Sequence, residues 1–407
     1  RMDKETLLYR RPFDTDSYLT ELDTAVVSCE KREDRYAVVF EQTIFFPRGG
    51  GQPCEPGTAD GHKVLDVTDE DGLIVHLLPC PLEVGQRVTL RIDWATRLAH
   101  MQHHLAQHIL SATFTKLYHN DTAHAHVTAE GGQIELPARL TPAEIAEGER
   151  EANRIVLENH AVTTEYYTPE VARTFPVRGK ITPHAFIRLV TIEDFDVNAC
   201  GGTHCRRTGE LGQIVITGAK EVRGIFRIDF KTGEAAKKEL GARTEQLLSI
   251  QQALGVETTE EAPEAARRTV QELHRLETVQ QELRARLDES DYGLLEASAA
   301  LIGGHGVVCR IVESGDMKHY KSIADRLAKS KLITLLALTD EERVSLLFQR
   351  PKGDKTPDLG AYVKAYTADL GGKGGGSPVS AQGSVPRSQA AIDKLNELFI
   401  NIKEELK

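Results

Sequence analysis

The sequence contains no apolar run long enough to span a bilayer, which argues against a transmembrane helix and a membrane partner. Its first residues also lack the apolar core of a signal peptide. The six cysteines among 407 residues are scattered, without the spacing of a disulfide framework. Such cysteine usage fits a reducing compartment, and we therefore expect a cytoplasmic protein.

Two common enzyme signatures are also missing. The Gly-rich stretch around Lys373 lacks the Walker spacing, because no Ser or Thr follows this lysine at the required place, and this argues against ATP binding. The segment from His104 to His108 reads HLAQH rather than HExxH, so the general base of the zincin proteases is absent.

The composition is that of a globular protein with several domains. Hydrophobic residues make up 40% of the chain and charged residues 27%, and the length predicts two to four domains. The formal net charge is −11, so the protein as a whole does not attract nucleic acid. An RNA partner would have to be bound by local basic patches.

Residues 1–95 read as a small β-barrel domain. Short runs of β-branched and aromatic residues at 36–40, 43–46 and 88–92 are typical of strands. The dipeptide Asp71-Gly72 between two further apolar runs predicts a hairpin.

A glycine turn, Gly49-Gly50-Gly51-Gln52, lies between these predicted strands. Its three glycines let the backbone approach a ligand closely, and the amide of Gln52 can both donate and accept a hydrogen bond. An ordinary hairpin loop explains these residues equally well.

Residues 96–233 read as a helix packed over an antiparallel sheet. Apolar residues recur at helical spacing from Thr96 to Tyr118, and the Thr141-Pro142 pair is typical of a second helix start. His100 and His103 lie beside the first apolar stripe, and we expect them to be at the surface more often than packed. Five shorter runs are predicted to be strands: 133–136, 162–167, 186–192, 213–216 and 226–230.

Residues 234–291 read as a helical stalk or hairpin. Gly255 and Pro263 divide the segment into two helical arms. Leucines with heptad-like spacing at 273, 276, 283 and 287 favour a coiled coil that could form a homodimer, while a plain amphipathic packing helix explains them nearly as well.

Residues 292–407 read as a C-terminal α/β domain with a Gly-rich loop at 371–383. The loop could bind a phosphate through its backbone N–H groups, or it could be a mobile linker. The complete chain is therefore predicted to have an α+β multidomain fold.

Two short motifs far apart in the chain point to a metal. His104 and His108 are four residues apart, so on a helix they share one face. Cys200 and His204 flank two glycines, which favour a tight loop with both side chains turned inward. One Cys and three His are sufficient for a tetrahedral zinc site. The alternative is a capped helix and an unrelated glycine turn.

The chemistry of this zinc site has two readings. Four protein ligands close a structural site, whereas a catalytic site keeps one position for water. If water is activated, Gln52 could orient it or the substrate. Asp196 could orient a ligand histidine, although a surface role is at least as consistent with its position. Cys205 is a spare candidate ligand, and we favour Cys200.

At this point the motifs resemble a known family. GGGQP at 49–53, the spaced Asp, Trp, Arg and His residues from Asp93 to His108, and CGGTH at 200–204 resemble the editing domain of alanyl-tRNA synthetases. Their order is similar to that of the free-standing AlaX-type editing proteins. The Gly-rich segment behind a stalk resembles the long form of that family, which carries the C-terminal domain of the synthetase.

The resemblance implies hydrolysis of mischarged tRNA(Ala), with Ser-tRNA(Ala) as substrate and Gly-tRNA(Ala) as a second candidate. It implies that zinc is held by His104, His108, Cys200 and His204, and that Gln52 is catalytic in the acyl pocket. The remaining implied or expected contacts are substrate-binding Gly50, Gly51, Leu105 and Thr203, and tRNA-binding Arg206, Arg207 and Lys373. Leu105 departs from the threonine that is common there, which removes a hydroxyl contact to serine.

Three functions remain open on the sequence alone. The first is a zinc-dependent aminoacyl-tRNA hydrolase that acts in trans. The second is a tRNA-binding or oligomerising protein with a structural zinc. The third is another zinc hydrolase, such as an amidase.

Overall fold

A computed structural model describes residues 3–181, 184–313 and 315–407. The chain forms two compact units, Arg1–Ala253 and Leu254–Lys407, which we describe one at a time. The division into four domains that the sequence predicts is finer than this and stays a prediction.

The first unit begins with a sheet and continues with helices and two smaller sheets. Its helices and strands are, in chain order, α1 (Lys4–Arg10), α2 (Pro12–Thr15), β1 (Glu21–Arg32), β2 (Arg35–Phe40), β3 (Gly57–Ala59), β4 (His62–Val64), β5 (Asp66–Glu70), β6 (Leu73–Leu78), β7 (Arg87–Ile92), α3 (Trp94–Tyr118), β8 (His124–Val127), β9 (Gly132–Leu136), α4 (Pro142–Glu158), β10 (Val162–Tyr167), α5 (Pro169–Ala172), β11 (Ile187–Ile192), β12 (Asp196–Ala199), a 3-10 turn (Thr208–Leu211), β13 (Val215–Val222), β14 (Ile225–Lys231) and α6 (Gly233–Leu254).

The first seven strands form one antiparallel sheet in the order β4–β3–β7–β1–β2–β6–β5. Its two edge strands, β4 and β5, are separated in the chain only by Leu65, whose amide donates to the carbonyl of Leu77 at 2.8 Å. The sheet therefore nearly closes on itself, in agreement with the predicted barrel. Val38, Val67 and Leu90 are completely buried in its interior.

The prediction of a barrel strand at 43–46 is wrong. These residues are buried but have no strand partner, because side chains satisfy their backbone. The guanidinium of Arg97 donates to the carbonyl of Ile44 at 2.6 Å, and the amide of Phe46 donates to the carboxylate of Glu55 at 3.3 Å. Apolar residues can therefore fill the core here without joining the sheet.

Helix α3 is the central element of the first unit. The carboxylate of Asp93 caps it by accepting from the amide of Thr96 at 2.7 Å, and His119 ends it in the left-handed conformation. It packs against α4, β8, β9 and β12, and this enclosure buries all its residues from His103 to Phe114. The expectation that His100 and His103 lie at the surface is therefore wrong, because they are 2% and 0% exposed.

Two further sheets surround α3. Strands β13–β14–β9–β8 form a four-stranded sheet, and β10–β11–β12 form a three-stranded sheet. All pairs in both sheets are antiparallel, as predicted. The last strand of the smaller sheet, β12, leads directly into Cys200.

The second unit consists of one long helix and a mixed sheet between helices. Its elements are α7 (Ala262–Ala297), β15 (Ala300–Ile302), β16 (His305–Glu313), α8 (Met317–Lys329), β17 (Leu332–Thr339), β18 (Arg343–Gln349), α9 (Leu359–Asp369), β19 (Lys373–Gly376), β20 (Ser380–Pro386) and α10 (Gln389–Glu405). Only β16 and β17 pair in parallel among the described strands of the sheet β15–β16–β17–β18–β20–β19.

The two helical arms end where the sequence predicts. Gly255 follows α6 with φ of 66°, a left-handed conformation that favours glycine, and Pro263 occupies the first turn of α7. The heptad-like leucines of α7, from Leu273 to Leu287, keep 51–59% of their surface exposed. A coiled coil or a homodimer through this helix stays a prediction.

The Gly-rich segment contains the edge strand β19 and the start of its neighbour β20, so its description as a loop is wrong. Strand β19 pairs with β20, and the glycines lie directly under α9. A Cβ atom on Gly374 or Gly383 would lie 2.7–3.0 Å from side-chain atoms of Thr367 and Val363. Glycine is required here for close packing of the helix on the sheet, rather than for flexibility.

A histidine clamp joins α7 to α8 within the second unit. The Nδ1 atom of His319 lies 2.5 Å from the carboxylate of Asp288, and its Nε2 atom lies 2.7 Å from that of Asp291. Both nitrogens face acceptors, so the imidazolium form is favoured. Burial lowers the pKa of His319, but the two carboxylates outweigh it and raise the pKa above its ordinary 6.5.

We expect the stabilisation of the second unit by this clamp to decrease as the pH rises. A histidine whose pKa is raised on folding stabilises the folded state fully below about pH 6.5, its ordinary pKa. This stabilisation is lost as the pH rises through the pKa of the folded state. The melting temperature of the wild type should therefore exceed that of His319→Gln most at acidic pH, and the difference should shrink at alkaline pH. A difference that does not change with pH would contradict the clamp.

No helix among the described residues is long and apolar enough to cross a membrane. All six cysteines are free thiols, as their scattered spacing predicts.

Candidate metal centre

The structure brings the two distant motifs together. His104 and His108 lie one turn apart on α3, and Cys200 and His204 lie in the loop between β12 and the 3-10 turn. The four possible ligand atoms all lie within 4.8 Å of one another. The Sγ atom of Cys200 is 3.3 Å from Nε2 of His104 and 3.7 Å from Nε2 of His204.

The unsatisfied atoms of this cluster fit a bound cation. Nε2 of His108 and Nδ1 of His204 are buried and have no hydrogen-bond partner among the described residues. Buried polar nitrogens are normally paired, so the unpaired Nε2 of His108 suggests a ligand, whereas in His204 it is Nε2 rather than the unpaired Nδ1 that faces Cys200. Three imidazoles and one thiol are a donor set that suits zinc.

The electrostatics of the cluster also favour metal binding. Burial raises the pKa of the Cys200 thiol, but the imidazoles of His104, His204 and His108 together lower it well below its ordinary value. Burial lowers the pKa of His204 to about 3, so this imidazole is neutral at physiological pH. A thiolate and a neutral imidazole are the ligating forms of these side chains.

Gln52 lies inside the site and connects its two motifs. Its Oε1 atom accepts from Nδ1 of His104 at 2.8 Å and from the amide of Thr203 at 3.2 Å, while its Nε2 atom donates to the hydroxyl of Thr203 at 2.8 Å. Because an amide oxygen only accepts, Nδ1 of His104 carries the proton and Nε2 is left as the ligating atom.

The glycines of both loops allow close approach. A Cβ atom on Gly202 would lie 2.1 Å from the His104 ring, whereas a Cβ atom on Gly201 would meet open space. Gly50 and Gly51 have φ of 58° and 83°, and a Cβ atom on Gly51 would lie 2.5 Å from the carbonyl of Ala125. The predicted glycine turn therefore packs tightly against its neighbours and holds Gln52, which follows it, in place.

The predictions from the sequence did not include two residues that lie near the site. The guanidinium of Arg188 donates to the carbonyls of Cys200 at 2.9 Å and Gly202 at 2.7 Å. The carboxamide of Asn198 lies 3.4 Å from Nδ1 of His108. An arginine inside the apolar run of β11 was the available signal for the first, and nothing in the sequence distinguishes the second.

Three sequence candidates are occupied elsewhere. Asp196 forms an ion pair with Arg178 at 2.9 Å and does not contact a ligand histidine. Cys205 is buried in the core of the first unit, where burial raises the pKa of its thiol. Leu105 is completely buried in the same core, and its contact with substrate stays a prediction.

The predicted tRNA contacts lie at three separate positions. Arg206 pairs with Asp16 at 2.9 Å and lies over the ring of Tyr18, and the guanidinium of Arg207 donates to the carbonyl of Asn159. Lys373 is exposed at the start of β19. Their binding of tRNA stays a prediction.

A cleft of about 860 Å³ reaches the loop that carries Cys200. Cys200 and Gly201 form part of its lining. Basic, acidic and aromatic side chains line the rest of it: Arg11, Lys180, His184, Arg188, Asp69, Asp71, Tyr166 and Phe186. The cleft has the volume of a small-ligand site.

Comparison with known proteins places this geometry in a family. The Threonyl and Alanyl tRNA synthetase second additional domain matches residues 187–229, and the DHHA1 domain matches residues 303–405. The alanyl-tRNA editing protein AlaX-L of Pyrococcus horikoshii is 32% identical over 392 residues, which cover 93% of this chain and 95% of that protein. The chain belongs to the AlaX-L family.

The same AlaX-L chain is also similar to part of larger enzymes. The alanine–tRNA ligase of Pyrococcus furiosus is 33% identical over 412 residues, which cover 97% of this chain and 43% of the ligase. A crystal structure of the C-Ala domain from Aquifex aeolicus alanyl-tRNA synthetase matches 25% of this chain and 96% of its own, with 20% identity and a TM-score of 0.22. We draw nothing about the fold from so low a TM-score.

Proposed function

We propose that the protein is a trans-editing hydrolase that deacylates mischarged tRNA(Ala). Ser-tRNA(Ala) is the proposed main substrate and Gly-tRNA(Ala) a second one. The observation that carries the proposal is the cluster of His104, His108, Cys200 and His204 beside a cleft, in a chain of the AlaX-L family.

The proposed reaction is hydrolysis of the aminoacyl ester. The oxygen of water adds to the ester carbonyl carbon, the bond from that carbon to the ribose oxygen breaks, and the products are the free amino acid and the tRNA with its hydroxyl restored. Zinc, when bound, supplies a Lewis acid and lowers the pKa of water. His104, His108, Cys200 and His204 would hold it.

The side chains around the cluster have positioning roles in this proposal. Gln52 fixes the tautomer of His104, and all its polar atoms are already bonded within the site, so we assign it to positioning rather than to the attack itself. The hydroxyl of Thr203 accepts from Gln52, which leaves its own proton free to donate. A hydroxyl donor near the acyl group can help to separate serine from alanine, which an apolar pocket does poorly.

Substrate length and charge also fit the cleft. A volume of about 860 Å³ accommodates the aminoacylated terminal nucleoside of a tRNA. Lys180 and His184 are exposed along it and can contact the phosphates that follow. We propose Arg206, Arg207 and Lys373 as further contacts to the tRNA.

A structural zinc is the second candidate, and one observation favours it. Four protein donors complete a tetrahedron and leave no position for water. The protein would then bind tRNA or oligomerise without hydrolysing the ester. Against this alternative, Cys200 and Gly201 line the cleft, so the cleft reaches the loop that carries one of the four donors.

A deacylation panel with metal removal tests the proposal. We expect the zinc-loaded protein to hydrolyse Ser-tRNA(Ala) faster than Ala-tRNA(Ala), because the polar groups of the site bind the serine hydroxyl. A chelator should abolish this activity, and added zinc should restore it, with metal content measured on the same samples.

The controls separate the two candidates. If the zinc-loaded wild type leaves Ser-tRNA(Ala) and Ala-tRNA(Ala) equally intact, the hydrolase is rejected and the structural zinc is supported. If small esters without RNA are hydrolysed equally well, the enzyme is a different zinc hydrolase.

A further inference from the structure

The loop that carries Cys200 is anchored by one buried side chain. Arg188 lies on β11 with 4% of its side chain exposed. Its carbonyl accepts from the amide of Cys200 at 3.1 Å, and its Nη1 donates to the carbonyls of Cys200 and Gly202. Both the backbone and the side chain of Arg188 therefore hold the start of this loop.

The two carbonyl bonds fix the direction of two peptide groups. In a trans peptide the carbonyl and the following N–H point in opposite directions. With the carbonyl of Gly202 on Arg188, the amide of Thr203 points away from it and donates to Oε1 of Gln52 at 3.2 Å. The same Oε1 atom accepts from Nδ1 of His104.

The thiol ligand is held at two neighbouring peptide groups. The carbonyl of Cys200 is held by Arg188, and the amide of Gly202 faces Sγ of Cys200 at 3.4 Å. Without these bonds the Gly201-Gly202 pair would be free to adopt many backbone conformations, since glycine restricts φ and ψ least. A loop that exchanges between many conformations cannot hold a metal ligand in place.

We infer that Arg188 is a positioning residue of the metal centre. It touches none of the four ligand side chains, and it acts through the peptide groups at Cys200 and Gly202 on both the thiolate and the Gln52–His104 pair. The inference rests on the proposed function only in taking the cluster as a metal centre, and it does not depend on the identity of the acyl group.

A merely structural role for Arg188 would act through its other end. Its Nη2 donates to the carbonyl of Asp14 at 3.4 Å, and its Nε lies 3.6 Å from the carboxylate of Asp14, which also accepts from the hydroxyl of Tyr166. Asp14→Asn removes this ion pair and leaves both bonds to the metal loop in place. It is therefore the matched control.

Metal affinity of the full-length chain tests the inference. We expect zinc to bind about 10–100-fold more weakly to Arg188→Met than to the wild type, as measured by competition with a chromophoric chelator. With cobalt in place of zinc, the thiolate-to-cobalt absorption band should be weaker or shifted. Arg188→Lys should recover part of the affinity, because its ammonium can donate to the carbonyls. Asp14→Asn should bind zinc within about 3-fold of the wild type.

The possible results are distinguishable. The inference is overturned if Arg188→Met and Asp14→Asn lose zinc affinity to the same extent and if this loss parallels the fall in melting temperature of each variant. Where Arg188→Met does not fold, the comparison of Arg188→Lys with Asp14→Asn decides in the same way. A wild type that binds zinc but does not deacylate tRNA leaves the inference intact and rejects the hydrolase. A wild type that binds no zinc overturns both.

Discussion

Replacing Gly202 with alanine is expected to destroy the metal centre, whereas the same change at Gly201 should leave it intact. A Cβ atom on Gly202 would lie 2.1 Å from Cε1 and 2.4 Å from Nδ1 of His104, and 2.9 Å from Oε1 of Gln52. Neither the ring nor the amide can move away without losing the hydrogen bond that joins them. The ligand histidine must therefore leave its position.

The expected loss is about 100-fold or more in zinc affinity, with a matching loss of any deacylase activity. Neither Gly201 nor Gly202 has a left-handed φ, so both alanine variants are free of backbone strain and differ only in contacts. Zinc titration and melting temperature should be measured on both. Equal zinc affinity of the two variants would show that the loop is not packed on His104 as described.

The four residues of the candidate metal cluster could be predicted because each pair is set by local geometry. A spacing of four residues on a helix places His104 and His108 on one face, and two glycines between Cys200 and His204 allow a tight turn. The long-range arrangement could not be read in the same way. The contact of Gln52 with His104 joins residues 52 positions apart, and no local pattern encodes it.

Arg188 was missed because charge in a sequence normally indicates the surface. The run Ile187-Arg188-Leu189 has an arginine between two buried apolar residues, and all three are buried in β11. An arginine can be buried only where acceptors surround it, and here backbone carbonyls supply them. Two of these carbonyls belong to the loop after β12 and the third to Asp14 in α2, so the sequence shows the anomaly but not its partners.

The errors in the fold have the same physical origin. The apolar run at 43–46 is buried as predicted, but it is not a strand because Arg97 and Glu55 satisfy part of its backbone. The glycines of the Gly-rich segment lie in the paired strands β19 and β20. They are required because α9 lies too close for any Cβ atom on Gly374 or Gly383. In both cases tertiary contacts, rather than composition, decide between a strand and a loop.

Removing the buried charge of Arg97 is expected to destabilise the first unit severely. The ion pair of Arg97 and Glu55 has both side chains at 0% exposure, with Nε 2.6 Å from Oε1. Arg97 also donates to the carbonyls of Ser17 at 2.9 Å and Ile44 at 2.6 Å. Arg97→Met would leave the buried Glu55 carboxylate without its guanidinium and facing Nδ1 of His100 at 3.9 Å, which should lower the free energy of unfolding by about 3–5 kcal/mol.

The barrel also provides an exposed control for this pair. Arg32 and Glu70 are 2.7 Å apart with side chains 44% and 43% exposed, so Arg32→Met should lower the free energy of unfolding by less than about 1 kcal/mol. Trp94 is the only tryptophan and begins α3, so its fluorescence during denaturant unfolding reports on the first unit of the full chain. Adding Glu55→Gln to Arg97→Met should recover part of the loss, because the uncompensated charge is removed while two carbonyls remain without donors. Equal destabilisation by Arg97→Met and Arg32→Met would mean that the buried pair is reached by water, and the barrel and α3 would then be joined less tightly than these contacts imply.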